Sequence, residues 1–417
     1  MTWRSLLVLF GLLFLTGTAE AQRSSPATYP AAAATRTTVP AQWWVPRNEY
    51  PSYDQYVNIM HGLAATHPER CTLENWGTLP SGRQILTLRI TEDVNRRSGK
   101  PQVLATASMH GDETAGYWVL LQLAESLLVE DHGGLLRDVE VYINPLANPD
   151  GAYTDDNATL RGGKRGNAHG VDLNRNYPDP DDGPHPDGYA YQAETRIFMA
   201  AAEAHSFDLA LNIHGGAEVF NYPWDTYQNR HPDNDWWRRV SRDFAQRAQL
   251  ASGRVPYFED RQRGVTNGHD WYPIAGSRQD YMNYYHHCRE ATLEISNAKR
   301  FPAHRLGSLW SYVKPALIGY LGEARYGLAG TVVDHYTGRP VAARVFIPGH
   351  DFQGSEVYST TEFGDYYRYL AAGTYTVEYR AEGYLPLTRR VTIRDGARTR
   401  EQVRMVRDGA MELDARR

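Results

Sequence analysis

Between residues 85 and 321, short apolar runs of strand character alternate with longer stretches that repeat apolar side chains at helical spacing. No other feature of the chain constrains its fold as tightly. The strand candidates are Ile85–Ile90, Val103–Ser108, Val139–Pro145, Leu209–Ile213 and Thr292–Ile295. The helical candidates are Thr114–Leu128, Glu194–His205, Trp236–Gln249 and Leu306–Leu321. Such alternation predicts an α/β layer fold around a largely buried sheet. Ser52 followed by Gln55 is a capping-box pattern, and Tyr53, Tyr56, Met60 and Leu63 then recur at helical spacing, so order is expected from about Pro51.

The pattern changes after Arg325. Thr331–Val333, Ala343–Ile347, Tyr375–Tyr379 and Arg390–Ile393 are short, rich in Val, Tyr and Thr, and punctuated by Gly338, Pro340, Gly364 and Gly373. This predicts a small antiparallel β-sandwich. A chain of 417 residues also exceeds one ordinary core, in keeping with two unequal domains. The net charge of -5 gives no basic field, so nucleic acid is not expected as a partner.

The ends read differently. Arg4, the apolar run Leu6 to Leu15 and Ala19-Glu20-Ala21 form a signal-peptide pattern over 1–21, followed by an Ala/Thr/Pro-rich flexible leader over 22–45. The expectation is export, to the periplasm or the exterior, with no membrane span in the mature chain. A polar tail is expected over 408–417. Export permits a disulfide, but whether Cys71 and Cys288 pair depends on a distance the sequence does not give.

Four segments carry chemistry. Met109-His110-Gly111-Asp112-Glu113 links the strand at Val103–Ser108 to the next helix. An imidazole and a carboxylate three residues apart at such a turn can bend towards one ion. Asn212-Ile213-His214-Gly215-Gly216 ends another apolar strand with a histidine. Sites in open α/β sheets form beyond the carboxyl ends of strands, so the two segments are expected to meet. Arg165-Gly166-Asn167 and Asp172-Leu173-Asn174-Arg175-Asn176-Tyr177-Pro178-Asp179 form a dense polar run whose guanidinium groups suit carboxylates. Finally, Glu294 stands between Leu293 and Ile295 in an apolar strand, where a carboxylate is costly without a partner.

Together these segments resemble the M14 family of zinc carboxypeptidases, and most closely its regulatory branch. The resemblance rests on H-G-x-E, on R-x-N-x-x-G-x-D-L-N-R-N-[FY]-P-D, on N-x-H-G-G-A followed by N-Y-P-x-D, on W-Y with a later Q-D-[WY]-x-N-Y, and on C-x-E-x-T-L-E-x-S. It covers about residues 46–400 and implies a three-layer α/β/α catalytic domain over 46–325 with a mixed, mainly parallel central sheet. The implied second domain, over 326–407, is a small all-β transthyretin-like sandwich.

Position by position, the resemblance implies one zinc ion (Zn2+) per chain, held by His110, Glu113 and His214. It makes Glu294 the general base and Arg165 the stabiliser of the oxyanion. Asn174 and Arg175 would hold the substrate's free C-terminal carboxylate, and Tyr272 would close over the bound residue. Asp225 and Gln279 would line a pocket for basic side chains, so release of C-terminal Lys or Arg from peptides or proteins is expected.

Two other readings stay open. A related zinc amidohydrolase acting on wall peptides or acyl-amino acids would keep the ligands, Arg165 and Glu294. An inactive binding module predicts loss of Glu294 or a ligand, and none is lost. Departures from the branch are Asp112, where Asn is usual, and Ser296, which removes a usual cysteine. Asp179-Pro180-Asp181-Asp182-Gly183 lacks regular calcium-ligand spacing and is expected to be a loop rimming the site. His286-His287 are assigned no metal role, because neighbours on a strand face opposite ways.

Overall fold

The computed structural model describes residues 44–408. The expected signal peptide, the leader apart from 44–45, and the tail beyond Asp408 lie outside the described residues. Ser52 caps α1 (Tyr53–Thr66) with the reciprocal bonds to Gln55 that the sequence signals.

A sheet of eight strands follows: β1 (Cys71–Thr78), β2 (Gln84–Ile90), β3 (Gln102–Ala107), β4 (Glu140–Asn144), β5 (Phe207–His214), β6 (Ala217–Tyr222), β7 (Val265–Asn267) and β8 (Arg289–Ser296). Their spatial order is β1-β2-β4-β3-β5-β8-β6-β7. The central strands β4, β3, β5 and β8 run parallel, while β1, β2 and β6 join antiparallel. The sheet is thus mixed and parallel at its centre.

Side chains in a strand alternate between faces. Accordingly Val103, Ala105 and Ala107 join one core with Val141, Ile143, Leu209, Leu211 and Ile213. The intervening Leu104, Tyr142 and Ala210 join a second core on the other face. The first core takes in α1, α2 (Ala115–Val129), α4 (Asn234–Ser252) and α6 (Leu306–Glu323); the second takes in α3 (Ala193–Ala204) and α5 (Arg278–Tyr285). Both faces are covered, which explains the near-continuous apolar runs of the central strands.

From Gly327 the chain forms two small sheets. β9 (Gly327–Asp334), β12 (Asp365–Arg368) and β15 (Arg398–Met405) make one; β10 (Arg344–Phe346), β11 (Val357–Tyr358), β13 (Gly373–Arg380) and β14 (Leu387–Ile393) make the other. Leu328, Val332, Val345, Val377, Tyr379, Val391, Val403 and Met405 fill the space between them. The strand pattern predicts a wholly antiparallel sandwich, and the structure corrects this: β15 pairs with β9 in parallel, because the chain crosses sheets before returning.

The sandwich is tied to the sheet by buried charge. Asp233 precedes α4 and holds Arg289 at the start of β8 (Nε–Oδ2 2.9 Å), Arg368 on β12 and His350 (2.9 Å). Arg368 also pairs with Asp351. Tyr369 stacks on Trp236 at 5.5 Å, and Tyr367 donates to the Gly99 carbonyl at 2.7 Å. Cys71 and Cys288 are both free and buried. They belong to the cores on opposite faces of the sheet. Among the described residues no helix is long and apolar enough to cross a membrane.

Candidate metal centre and substrate cleft

The parallel strands β3, β5 and β8 deliver their carboxyl ends to one place. His110 and Glu113 lie on the turn after β3, His214 is the last residue of β5, and Glu294 stands opposite His214 in the β5–β8 register. The turn after β3 requires Gly111: a Cβ there would fall 2.1 Å from the Gly151 carbonyl carbon.

His110, Glu113 and His214 are buried and offer ligand atoms that all lie within 4.8 Å of one another. The two Nδ1 atoms are 3.1 Å apart. Glu113 approaches His110 Nδ1 at 3.0 Å and His214 Nδ1 at 2.9 Å. Two nitrogen ligands about 2.1 Å from a tetrahedral zinc stand about 3.4 Å apart, so the spacing fits one zinc ion.

Protonation fits as well. His110 Nε2 lies 2.9 Å from Asp172, the bond that turns Nδ1 inward; burial opposes the charged ring, but Glu113 and Asp172 raise its pKa, and a metal ion would displace the Nδ1 proton. Burial lowers the His214 pKa to about 4, keeping the imidazole neutral, as a ligand must be. Burial opposes ionisation of Glu113, but His110 and His214 hold its carboxyl well below the usual range.

Around this group the chain places two cations, Arg165 and Lys299, and the acids Asp112, Asp172 and Glu294. Arg165 donates to Asp172 (2.9 Å) and His110 Nδ1 (3.1 Å), and approaches Glu113 Oε1 at 3.4 Å. Lys299 reaches Glu113 at 3.0 Å and Asp112 at 3.8 Å, so Asp112 is engaged beside the triad. Glu294 Oε2 has no partner among the described residues. Burial and the Glu113 carboxylate push its pKa up to about 8.

The cleft beyond, of about 410 Å³, is lined by His110, Arg165, Asn174, Arg175, Asp225 and Tyr272 among others, with His214 and Glu294 at its base. Asn174 is fixed by Arg278, whose backbone N–H donates to its Oδ1 at 3.0 Å. Arg175 donates to the Asn174 carbonyl at 2.8 Å. Tyr272 is 49% exposed at the rim of the cleft.

Asp225 is buried; its Oδ1 accepts from Asn221 at 3.0 Å, while Oδ2 lacks a partner among the described residues. Gly268 makes room for it, since a Cβ there would lie 1.9 Å from Oδ1. Gln279 is buried; its Oε1 accepts from the N–H of the cleft residue Thr292 at 2.7 Å, and its Nε2 lacks a partner among the described residues.

Asp172 and Lys299 were not singled out as site residues from sequence. Asp172 stood in the quoted polar run, three residues before Arg175. Lys299 gave no signal, because only the fold returns the chain after β8 to Glu113.

Other motifs resolve into structure. Asp179 accepts the N–H groups of Asp181 and Asp182 at 2.9 and 3.0 Å and that of Gly276 at 2.9 Å, clasping its loop to the cleft rim. His286 bonds Tyr281 and His287 bonds the Gly354 carbonyl, so the pair faces different partners. Ser296 donates to the Ala298 carbonyl at 2.9 Å.

Comparison with known proteins places this geometry. Residues 56–315 match the family described as zinc carboxypeptidase, M14, and residues 327–406 match the carboxypeptidase regulatory-like domain. The carboxypeptidase N catalytic chain of Rattus norvegicus is 32% identical over 391 residues, covering 82% of each chain. Carboxypeptidase D of Drosophila melanogaster is 30% identical over 357 residues, covering 80% of this chain and 25% of that protein, so the chain spans about a quarter of its length. In fold, carboxypeptidase A from Helicoverpa armigera matches with a TM-score of 0.56 at 19% identity, over 66% of this chain and 75% of that one. The sequence matches and the fold agree, and the chain belongs to the M14 family of zinc carboxypeptidases, with a regulatory-like domain behind its catalytic one.

Proposed function

We propose that this metallocarboxypeptidase releases C-terminal Lys or Arg from peptides or proteins, using zinc held by His110, Glu113 and His214. The observation that carries the proposal is the cleft wall: Asn174 and Arg175, the half-satisfied buried Asp225 and a Glu294 with one oxygen unpartnered among the described residues line one space.

When bound, zinc supplies Lewis acidity that lowers the pKa of a water to about 7. Glu294 then takes a proton from the attacking water and returns it to the leaving amine. Arg165, already anchored by Asp172, stays beside the developing oxyanion without reorganising. Asn174 and Arg175 receive the substrate's terminal carboxylate, and Tyr272 closes over the residue. A clamp that meets no carboxylate loses its hydrogen bonds, which makes amidated ends poor substrates.

Asp225 gives the pocket its preference. Burial pushes its carboxyl above the usual range, and a cationic side chain entering beside Oδ2 relieves that cost. Gln279 supports the wall through Thr292. The domain boundary at 325/326 and export through the N-terminal apolar run belong to the same reading.

Peptides differing only in their last residue test the preference. Arg- and Lys-ended peptides should exceed the Phe-ended one in kcat/KM by about 10- to 100-fold, the worth of one charge-assisted hydrogen bond. Asp225→Asn should collapse that ratio. Equal turnover of the Phe peptide by the unaltered enzyme would contradict the preference while leaving the carboxypeptidase chemistry intact.

A further inference from the structure

Asp225 does not hold its place alone. Asp280 lies in the first turn of α5 and is fully buried. Both of its carboxylate oxygens accept the Asp225 N–H at 3.0 Å, and Oδ2 also accepts the Thr226 N–H at 2.8 Å. Its own N–H donates to Ser277 Oγ at 3.1 Å, so the helix cap fixes the acid that fixes the loop. Asp280 is absent from the cleft lining, and its oxygens point at main chain rather than at the pocket.

From this arrangement we infer that Asp280 is a positioning residue for substrate selection: it sets the main chain at Asp225 so that Oδ2 meets the cationic end of the departing residue. The inference rests on the proposed preference for Lys or Arg. The physical basis is that a buried carboxyl group accepting two consecutive backbone N–H groups pins a loop in one conformation, whichever its charge state. A misplacement on the order of 1 Å forfeits a charge-assisted bond while leaving apolar contacts largely in place.

The test compares the zinc-loaded full chain with its Asp280→Asn and Asp280→Glu variants on peptides ending in Arg and in Phe. Asn keeps the shape of Asp but turns an N–H₂ toward a backbone donor. Glu keeps the carboxyl group and shifts it by one methylene. Both variants are expected to raise KM for the Arg peptide about 10- to 100-fold. In both, kcat for that peptide should stay within about twofold, and all constants for the Phe peptide should be unchanged. The Phe peptide thereby reports on folding in the same sample.

If the Arg-to-Phe ratio survives in both variants, Asp280 does not position Asp225 and the inference is wrong. If Glu alone retains the ratio, any carboxyl group near the loop suffices and its exact placement does not matter, which also overturns positioning. Equal losses on both peptides would show a merely structural residue. An unaltered enzyme without preference for Arg instead defeats the underlying reading, an outcome separate from all of these.

Discussion

Glu294→Gln is expected to lower kcat by about 10²- to 10⁴-fold, the usual share of a general acid–base group, while KM and zinc content stay near those of the unaltered enzyme. The substitution keeps the volume of the side chain and removes only its ability to take a proton. Glu294 sits on β8 opposite His214, with one oxygen unpartnered among the described residues and a pKa pushed up to about 8 by burial and Glu113. A divalent cation among the ligands would bring that value back towards neutrality, the range a group needs to accept and return a proton. Steady-state kinetics with metal analysis of the same samples decides the matter. Full activity with full zinc would remove Glu294 from the mechanism; loss of zinc would make it a support of the metal site instead.

Asp233→Ala should cost about 3–5 kcal/mol of stability, because it strands the buried Arg289 guanidinium and takes one of two carboxylates from Arg368. Arg289 and Arg368 both end on Asp233, and all three side chains are at most 1% exposed. Arg368 retains Asp351, but Arg289 has no second carboxylate among its bonds. Because Arg289 opens β8 and Arg368 belongs to the sandwich, the loss loosens the join between the two and the strand that carries Glu294. The exposed pair Arg247–Asp243 supplies the contrast: its loss should cost about 0.3–0.5 kcal/mol, since solvent screens it. Equilibrium unfolding in urea measures both variants. Comparable small effects would show that the cluster does not join the domains.

Periodicity made the centre of the fold legible. Val103 to Ala107 reads as a strand because both of its faces are buried, and α1 announces itself through Ser52 and Gln55. β1 gave no such signal: Cys71 to Thr78 is an edge strand with one buried residue, so its sequence stays mixed and polar. α5 was hidden for the opposite reason. Arg278, Gln279, Asp280 and Asn283 are polar yet buried, and bond to groups outside the helix such as Glu290 and the Asp225 main chain.

The same division runs through the site. His110 and His214 were visible because each precedes a glycine at or just beyond a strand end, and Glu113 because it follows His110 by three residues. Asp172, Lys299 and Asp280 act by holding other groups, and a holding residue carries no pattern of its own. The sandwich's parallel β9–β15 pair was likewise set by chain crossing rather than by any local run.

Hydrolysis of one Arg-ended peptide, offered with a free and with an amidated C-terminus, before and after chelation, tests the central claim most directly. Only the free peptide should be cut, with release of a single Arg. Activity should vanish with chelator and return on adding one equivalent of zinc per chain. Cleavage of the amidated peptide at a similar rate, or activity that survives chelation, would contradict a zinc carboxypeptidase site built on His110, Glu113 and His214.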